Sequence, residues 1–593
     1  MKASTQLIAL LVVASVGGAR PANASRYNEG ARAEAAHYIG ASRYEGAAAV
    51  ADAAMAGDKE AVRALLKQGS DVNGAQGDGL TALHWAARKG DAELANLLIR
   101  GGANVRAATR LAAYTPLHMA AEAGSAPVII ALVSAAADVN AATTTGTTPL
   151  MLAAASGDTD SIKALLDAGA KPNTTELDRG HTALMFAAAA NRVGAVKLLL
   201  ARGADPMIAT KVTDLAALSK DGSNSYDGRN LPGNPNGRSG GNAERPANAP
   251  PPRTRTAGVE RQFLLNELVG AQGGMTPLLF AARQGYTDTV KALLDAGVDI
   301  NAVKAGDNTS PLLIATLNGQ FDLGKMLLDR GASPNLAADN GATPLYAAIN
   351  VQWAPRALYP QPRAYLDQQL SYLEFMKALL DRGADPNVRL RRKVWYSGYN
   401  FDQSGVDEIG ATPFWRAAYA ADVDAMKLLV EHGADPNIPT MKPAGRPQVG
   451  DADTRAVVDV SGLPPVPLGG PSVTPLQAAA GVGYGEGFAG NAHRHAPGGM
   501  LAAVQYLVEE LHADVNARDH EGFTALHHAA SRGDNEMILY LVKHGADPKA
   551  VTRDGRTTVD LANGPVQRIQ PFPETIKLLE SLGAKNNHRC VSC

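Results

Sequence analysis

The sequence predicts an all-α repeat protein, a solenoid of about twelve helix-turn-helix units whose hairpin loops carry long insertions. Three observations predict it. A phrase built on Thr-Pro-Leu and paired alanines recurs from one end of the chain to the other. Its copies stand about 33 residues apart, too few to bury a core alone and the right number for a unit that stacks on its neighbours. Hydrophobic residues are 45% of the 593 but aromatics only 5%, so the interior must be built from small side chains that let helices approach closely.

The phrase begins at Thr81, Thr115, Thr148 and Thr182, resumes at Thr276, Ser310, Thr343, Thr412, Thr474 and Thr524, and closes on a worn copy, Thr557-Thr558-Val559-Asp560. Successive starts from 81 to 182 differ by 34, 33 and 34. Thr or Ser suits a helix N-cap, and Pro at the first helical position loses no needed N–H. Leu and the Ala pair face inward. A second phrase follows each copy, as in Leu379-Leu380-Asp381-Arg382-Gly383-Ala384-Asp385-Pro386-Asn387. Its Gly fits the left-handed position that ends the second helix. Ala136 and His512 take that Gly slot and are expected to act as cap substitutes. Asp78-Gly79, Asn340-Gly341 and Asp554-Gly555 suit hairpin tips.

Together these phrases resemble the ankyrin repeat, and the resemblance covers residues from about 46 to 585. With a degenerate first unit, Val50 to Asn73, the count is twelve. The resemblance implies that His84, His118 and His527 hydrogen-bond the Thr hydroxyl of their own phrase, a structural role. It also implies a concave face and a rim of fingers as the binding surface.

The expected organisation is a signal peptide (1–24), a lead-in (25–45), a first repeat block (46–206), a largely disordered insertion (207–274), a second repeat block with insertions (275–585) and a tail (586–593). Lys2, the apolar run Leu7 to Val16, and Ala22-Asn23-Ala24 read as an export signal cleaved before Ser25. The run is too short to span a bilayer, which takes about 20 residues. Periplasmic or secreted location follows as an expectation. The insertion 207–274 holds a Gly/Pro/Asn-rich tract, Ser223 to Thr256, and an amphipathic helical piece near Val259 to Val269. Further insertions at 388–410 and 438–472 also precede a Thr-Pro-Leu phrase, where the fingers project. Those at 354–371, 481–499 and 565–573 separate the two helices of a unit.

Chemistry-bearing motifs are few. The net charge of −2, from 56 basic and 58 acidic residues, speaks against a nucleic-acid binder. His493 and His495 have no further ligand at metal spacing. Gly485 to Gly490 spells G-x-G-x-x-G but follows a helix-forming stretch, whereas a phosphate loop follows a strand. No nucleophile–base set is recognisable, so catalysis is not expected. Arg389 to Tyr396, with Tyr399 and Phe401, mixes bases and aromatics. It reads either as an interface hot spot or as a finger docked by its rings with its charges in water.

The two cysteines are Cys590 and Cys593. Their C-x-x-C spacing fits a redox pair, half of a zinc site with His588 near, or a c-type haem attachment motif lacking its final His. The array also looks like exported bacterial proteins in which ankyrin repeats precede a cytochrome-like segment, which would make haem the cofactor and the chain a fragment continuing past Cys593.

Two functions are therefore carried forward. One is an exported scaffold that binds a protein partner, with no nucleic acid, small-molecule substrate or membrane span. The other is an electron-transfer protein whose solenoid docks a redox partner. For the scaffold, the resemblance places variable contacts at Arg88, Lys89, Tyr114, Glu122, His181, Arg283, Gln284, Tyr419, Phe523 and Arg532. Tyr114, His181 and Phe523 are expected to be exposed hot spots.

Overall fold

The computed structural model describes residues 46–215, 270–354, 363–394, 406–443, 459–483, 494–564 and 570–589. The expected signal peptide, the tract 223–256 and the helical piece 259–269 lie outside the described residues, as do Trp395, Tyr396, Tyr399, Phe401, His493, residues 485–490 and both cysteines.

The chain divides into two compact units, Met1–Val212 with Gly273–Ala305, and Thr213–Gln272 with Gly306–Cys593. In the first unit, six helix pairs follow in order: α1 and α2 (Ala49–Ala56, Lys59–Lys67), α3 and α4 (Ala82–Arg88, Ala92–Arg100), α5 and α6 (Pro116–Glu122, Ala126–Ser134), α7 and α8 (Pro149–Ser156, Thr159–Asp167), α9 and α10 (Ala183–Ala189, Val193–Ala201), α11 and α12 (Pro277–Gln284, Thr287–Asp295). The second unit opens with a short antiparallel pair, β1 (Thr213–Asp214) on β2 (Ala271–Gln272). Its six helix pairs are α13 and α14 (Pro311–Leu317, Phe321–Asp329), α15 and α16 (Pro344–Gln352, Tyr372–Asp381), α17 and α18 (Pro413–Tyr419, Val423–Glu431), α19 and α20 (Pro475–Ala479, Gly499–Gln505), α21 and α22 (Ala525–Ser531, Asn535–Lys543), α23 and α24 (Thr558–Ala562, Pro573–Ser581). Among the described residues, twelve pairs match the twelve units read from the sequence.

Local chemistry explains each pair. The phrase-opening Thr or Ser has extended backbone and its side chain accepts from the third helical N–H, as Thr182 does from Met185 and Ser310 from Leu313. The second helix often opens on an Asp cap: Asp58, Asp91, Asp158, Asp422 and Asp534 each accept from an N–H three residues on. After that helix the chain turns through a left-handed residue. Ala136 (φ 64°) and His512 (φ 55°) hold this conformation in place of glycine, as expected.

The odd-numbered inner helices pack through small residues. Leu83, Ala86 and Ala87, then Leu117, Ala120 and Ala121, are fully buried. Removing such surfaces from water drives stacking, because one pair buries too little by itself. In α14 the absence of a side chain at Gly324 makes room for a ring. A Cβ there would sit 2.6 Å from the Phe375 ring, which stacks on Phe321 with centroids 5.2 Å apart. The hairpin fingers are tied edge to edge by backbone bonds, such as Thr144 N–H to the Ala112 carbonyl at 3.0 Å and Leu177 N–H to Thr145 at 2.8 Å.

The insertions at 388–410 and 438–472 leave the fold between a second helix and the next inner helix, as expected. One expectation about the first of them is corrected. Lys393 does not face water: it is buried and its ammonium donates to the Val406 carbonyl. A backbone oxygen thirteen residues further on satisfies the ammonium, which an unpaired burial would leave at a large cost.

Candidate interaction surface

Each repeat presents two kinds of side chain outside its stack: those on the open side of the inner helix and those on the finger. The histidines of the phrase belong to neither. His118 Nδ1 accepts from the Thr115 N–H at 3.2 Å and lies 2.8 Å from its hydroxyl, while Nε2 lies 3.1 Å from the Thr147 carbonyl of the next repeat. His84 and His527 contact Thr81 and Thr524 in the same way. This is the structural role the resemblance implies. Burial holds the imidazoles neutral, lowering His118 to about 4 and His527 to about 3. Gln477 fills the same slot in α19, accepting from Thr474 N–H at 2.7 Å and donating to the Phe523 carbonyl at 2.7 Å.

The predicted contact residues divide by unit. In the first, Arg88 and Lys89 are exposed at the end of α3. Arg88 lies over the Trp85 ring at 5.6 Å, and Lys89 donates to the Met55 carbonyl at 2.5 Å. At the other end, Arg283 lies over Phe280 at 5.6 Å and is half-buried, with Gln284 beside it. Glu122 is half-buried, and burial together with its charge raises the Tyr114 hydroxyl. Between the two Arg–aromatic pairs run Met119, Leu152 and Phe186, all at the position that follows the phrase's fourth residue.

Three of the predicted sites are corrected. Phe523 is 1% exposed, its ring stacked on His528 and capped by the Arg556 guanidinium at 4.8 Å. Tyr419 is 4% exposed and stacks on Trp415 with centroids 5.3 Å apart. His181 is largely covered, with Nδ1 2.9 Å from Glu176 Oε1 and Phe280 5.6 Å from its ring. The reason is common to all. A ring just before the phrase lies across the finger base onto the inner helix, and one at its end packs on the preceding turn, because each buries apolar surface that way. Tyr114 behaves similarly, half-buried with its ring 5.6 Å from His118. In the second unit Arg532 also points back, donating to the Ala480 carbonyl and to Asp534 at 2.8 Å.

Sequence reasoning missed the finger tips. Leu111 is 78%, Leu177 62% and Val212 47% exposed, on fingers of the first unit. The signal was present: an apolar residue stands where other fingers carry Asp, Asn or Thr. Among the described residues no three His, Cys, Asp or Glu side chains converge as metal ligands, and no helix is long and apolar enough to cross a membrane.

Comparison with known proteins agrees with this geometry. A segment of human (Homo sapiens) BCL-6 corepressor-like protein 1 is 38% identical over 86 residues, 14% of this chain and 4% of that protein. Ankyrin repeat and SAM domain-containing protein 6 of Rattus norvegicus is 36% identical over 100 residues, 15% of this chain and 11% of the relative. Ankyrin repeat domain-containing protein 49 of Bos taurus is 44% identical over 52 residues, 9% of this chain and 22% of the relative. The similarity thus spans a small part of each relative's length. These are animal proteins, and they support the repeat likeness without the exported bacterial type expected from the sequence. Family profiles described as ankyrin repeats match residues 50–143, 137–210 and 278–440 as three-copy arrays and 506–562 as a many-copy array. The chain belongs to the ankyrin-repeat family.

Proposed function

We propose that this chain is a scaffold that binds a protein partner on the finger tips and inner-helix face of its first unit. The observation that carries the reading is the exposure of Leu111, Leu177 and Val212 on fingers of that unit, together with the exposure of Arg88 and Lys89 at the end of α3. Apolar side chains left in water on several projections of one unit are the kind of surface a protein partner covers. Arginine next to aromatic surface supplies the anchors that dominate such interfaces. The second unit is the poorer candidate, because Tyr419 and Phe523 are consumed by its own packing. Export remains part of the proposal, supported by Lys2, Leu7 to Val16 and Ala22-Asn23-Ala24. Intact-mass measurement of secreted material beginning at Ser25 tests that part.

The test of the binding face selects a partner from a displayed protein library against the full chain. Leu111→Asp with Leu177→Asp is expected to weaken it about tenfold or more, with the unfolding midpoint unchanged. Leu539→Asp, an exposed position on α22 of the second unit, serves as the control. Equal loss with both sets, or none with the first, overturns the reading.

A further inference from the structure

The insertion before α19 carries a feature that the repeats do not explain. Residues 463–468 read Leu-Pro-Pro-Val-Pro-Leu. Each proline fixes its own φ near −65° and drives the preceding residue toward extended or polyproline II backbone, so Leu463 and Val466 are constrained by the proline that follows them and Pro464 is constrained twice over. The exposure of the segment then follows a period of three. Leu463 and Val466 are half-buried, whereas Pro464, Pro465, Pro467 and Leu468 are exposed, Leu468 at 67%. Three residues per turn is the polyproline II repeat, and it puts one ridge against the protein and two ridges outward.

The strip is held in place by its own chain. Arg553, on the finger before α23, donates to the Leu463 carbonyl at 3.1 Å and the Pro464 carbonyl at 2.5 Å, and pairs with Asp459. Lys442 Nζ donates to the Val466 carbonyl at 3.0 Å, and the Gly470 N–H to Pro467 at 2.9 Å. Backbone oxygens are thereby turned inward and satisfied, and the rings are left outward.

We infer that this strip is a second docking element, presenting Pro464-Pro465 and Pro467-Leu468 to a protein module with an aromatic-lined groove. Such grooves read successive proline-containing pairs on one face of a polyproline II helix and gain affinity because the ligand is already extended. A free peptide must order itself on binding; the Arg553 and Lys442 clamps have already done so here. The inference stands independently of the first-unit reading.

The experiment titrates the full chain against isolated modules of the SH3, WW and EVH1 kinds, with a poly-L-proline peptide as competitor. At least one module is expected to bind and to be displaced by the peptide. Pro464→Ala with Pro467→Ala, and separately Leu468→Asp, should each weaken it about tenfold or more. Because Leu468 is exposed, its replacement keeps the test open even if the proline variant misfolds. Arg553→Ala should weaken binding by a smaller factor, since the strip survives unclamped. Leu111→Asp with Leu177→Asp should change nothing here. If no module binds, or if Leu468→Asp binds like the parent protein, the inference fails.

Discussion

Asn387 joins its repeat to the next by two bonds: its side-chain amide donates to the Gly433 carbonyl at 2.9 Å, and its Oδ1 accepts from the Asp435 N–H at 2.8 Å. The same clamp links Asn73 to Gly102, Asn140 to Gly169, Asn173 to Gly203, Asn335 to Gly383 and Asn516 to Gly545. It gives the last letter of the Ala-Asp-x-Asn phrase a mechanical meaning. Asn387→Ala removes both bonds while leaving the partner groups in place. We expect a loss of about 1–3 kcal/mol, seen as a lower urea midpoint. Asn96→Ala, where the amide bonds the Ala92 carbonyl of its own helix, should shift the midpoint by less than about 0.5 kcal/mol equivalent.

Phe523 supplies the opposite outcome from the one its sequence position suggested. Its ring is buried among His527, His528 and Arg556, so Phe523→Ala leaves a cavity. A cost of about 3–5 kcal/mol in unfolding free energy is expected. Calorimetry should show it before any binding assay does.

At Ala136 the left-handed backbone costs a residue with a Cβ about 1–2 kcal/mol, part of which glycine repays through a more flexible unfolded chain. Ala136→Gly should therefore raise stability by about 1 kcal/mol. A lowered denaturation midpoint would show that φ 64° is not retained there.

Gly324→Ala should destabilise, although alanine is the better helix former by about 1 kcal/mol. Its methyl would press on Phe375, which is itself stacked on Phe321 and fully buried. Overpacking of this kind costs about 1–3 kcal/mol, which outweighs the helix propensity. The thermal midpoint of the variant measures the balance.

His118 makes stability depend on pH. Its folded pKa, about 4, lies below the ordinary 6.5, so between those values the unfolded chain binds the proton and the folded chain does not. The stabilisation is present above pH 6.5 and is lost as pH falls toward 4. A proton on Nδ1 would face the Thr115 N–H, a donor against a donor. Gln477 shows that an amide makes both bonds without titrating. Relative to its own value at neutral pH, His118→Gln should retain roughly 2–3 kcal/mol more stability than the parent at about pH 4. Equal acid sensitivity in the two proteins would remove His118 from the account.

What the sequence by itself determined is everything that nearest neighbours along the chain decide. Thr caps three residues before His, Pro at the first helical position, left-handed turns at Ala136 and His512, and the 33-residue beat are local hydrogen-bond and backbone facts, and the structure repeats them. What only the tertiary structure decided is which side chains meet water. Tyr114, His181 and Phe523 stand at one place in the phrase, yet Phe523 is sealed by Arg556 from the next finger while Tyr114 is half open. Lys393 is buried by a carbonyl that returns from Val406, and the proline strip is pinned by Arg553, about ninety residues away. Exposure is a sum over groups brought together from distant parts of the chain, and a phrase that specifies its own turn carries no record of what the next turn will lay over it.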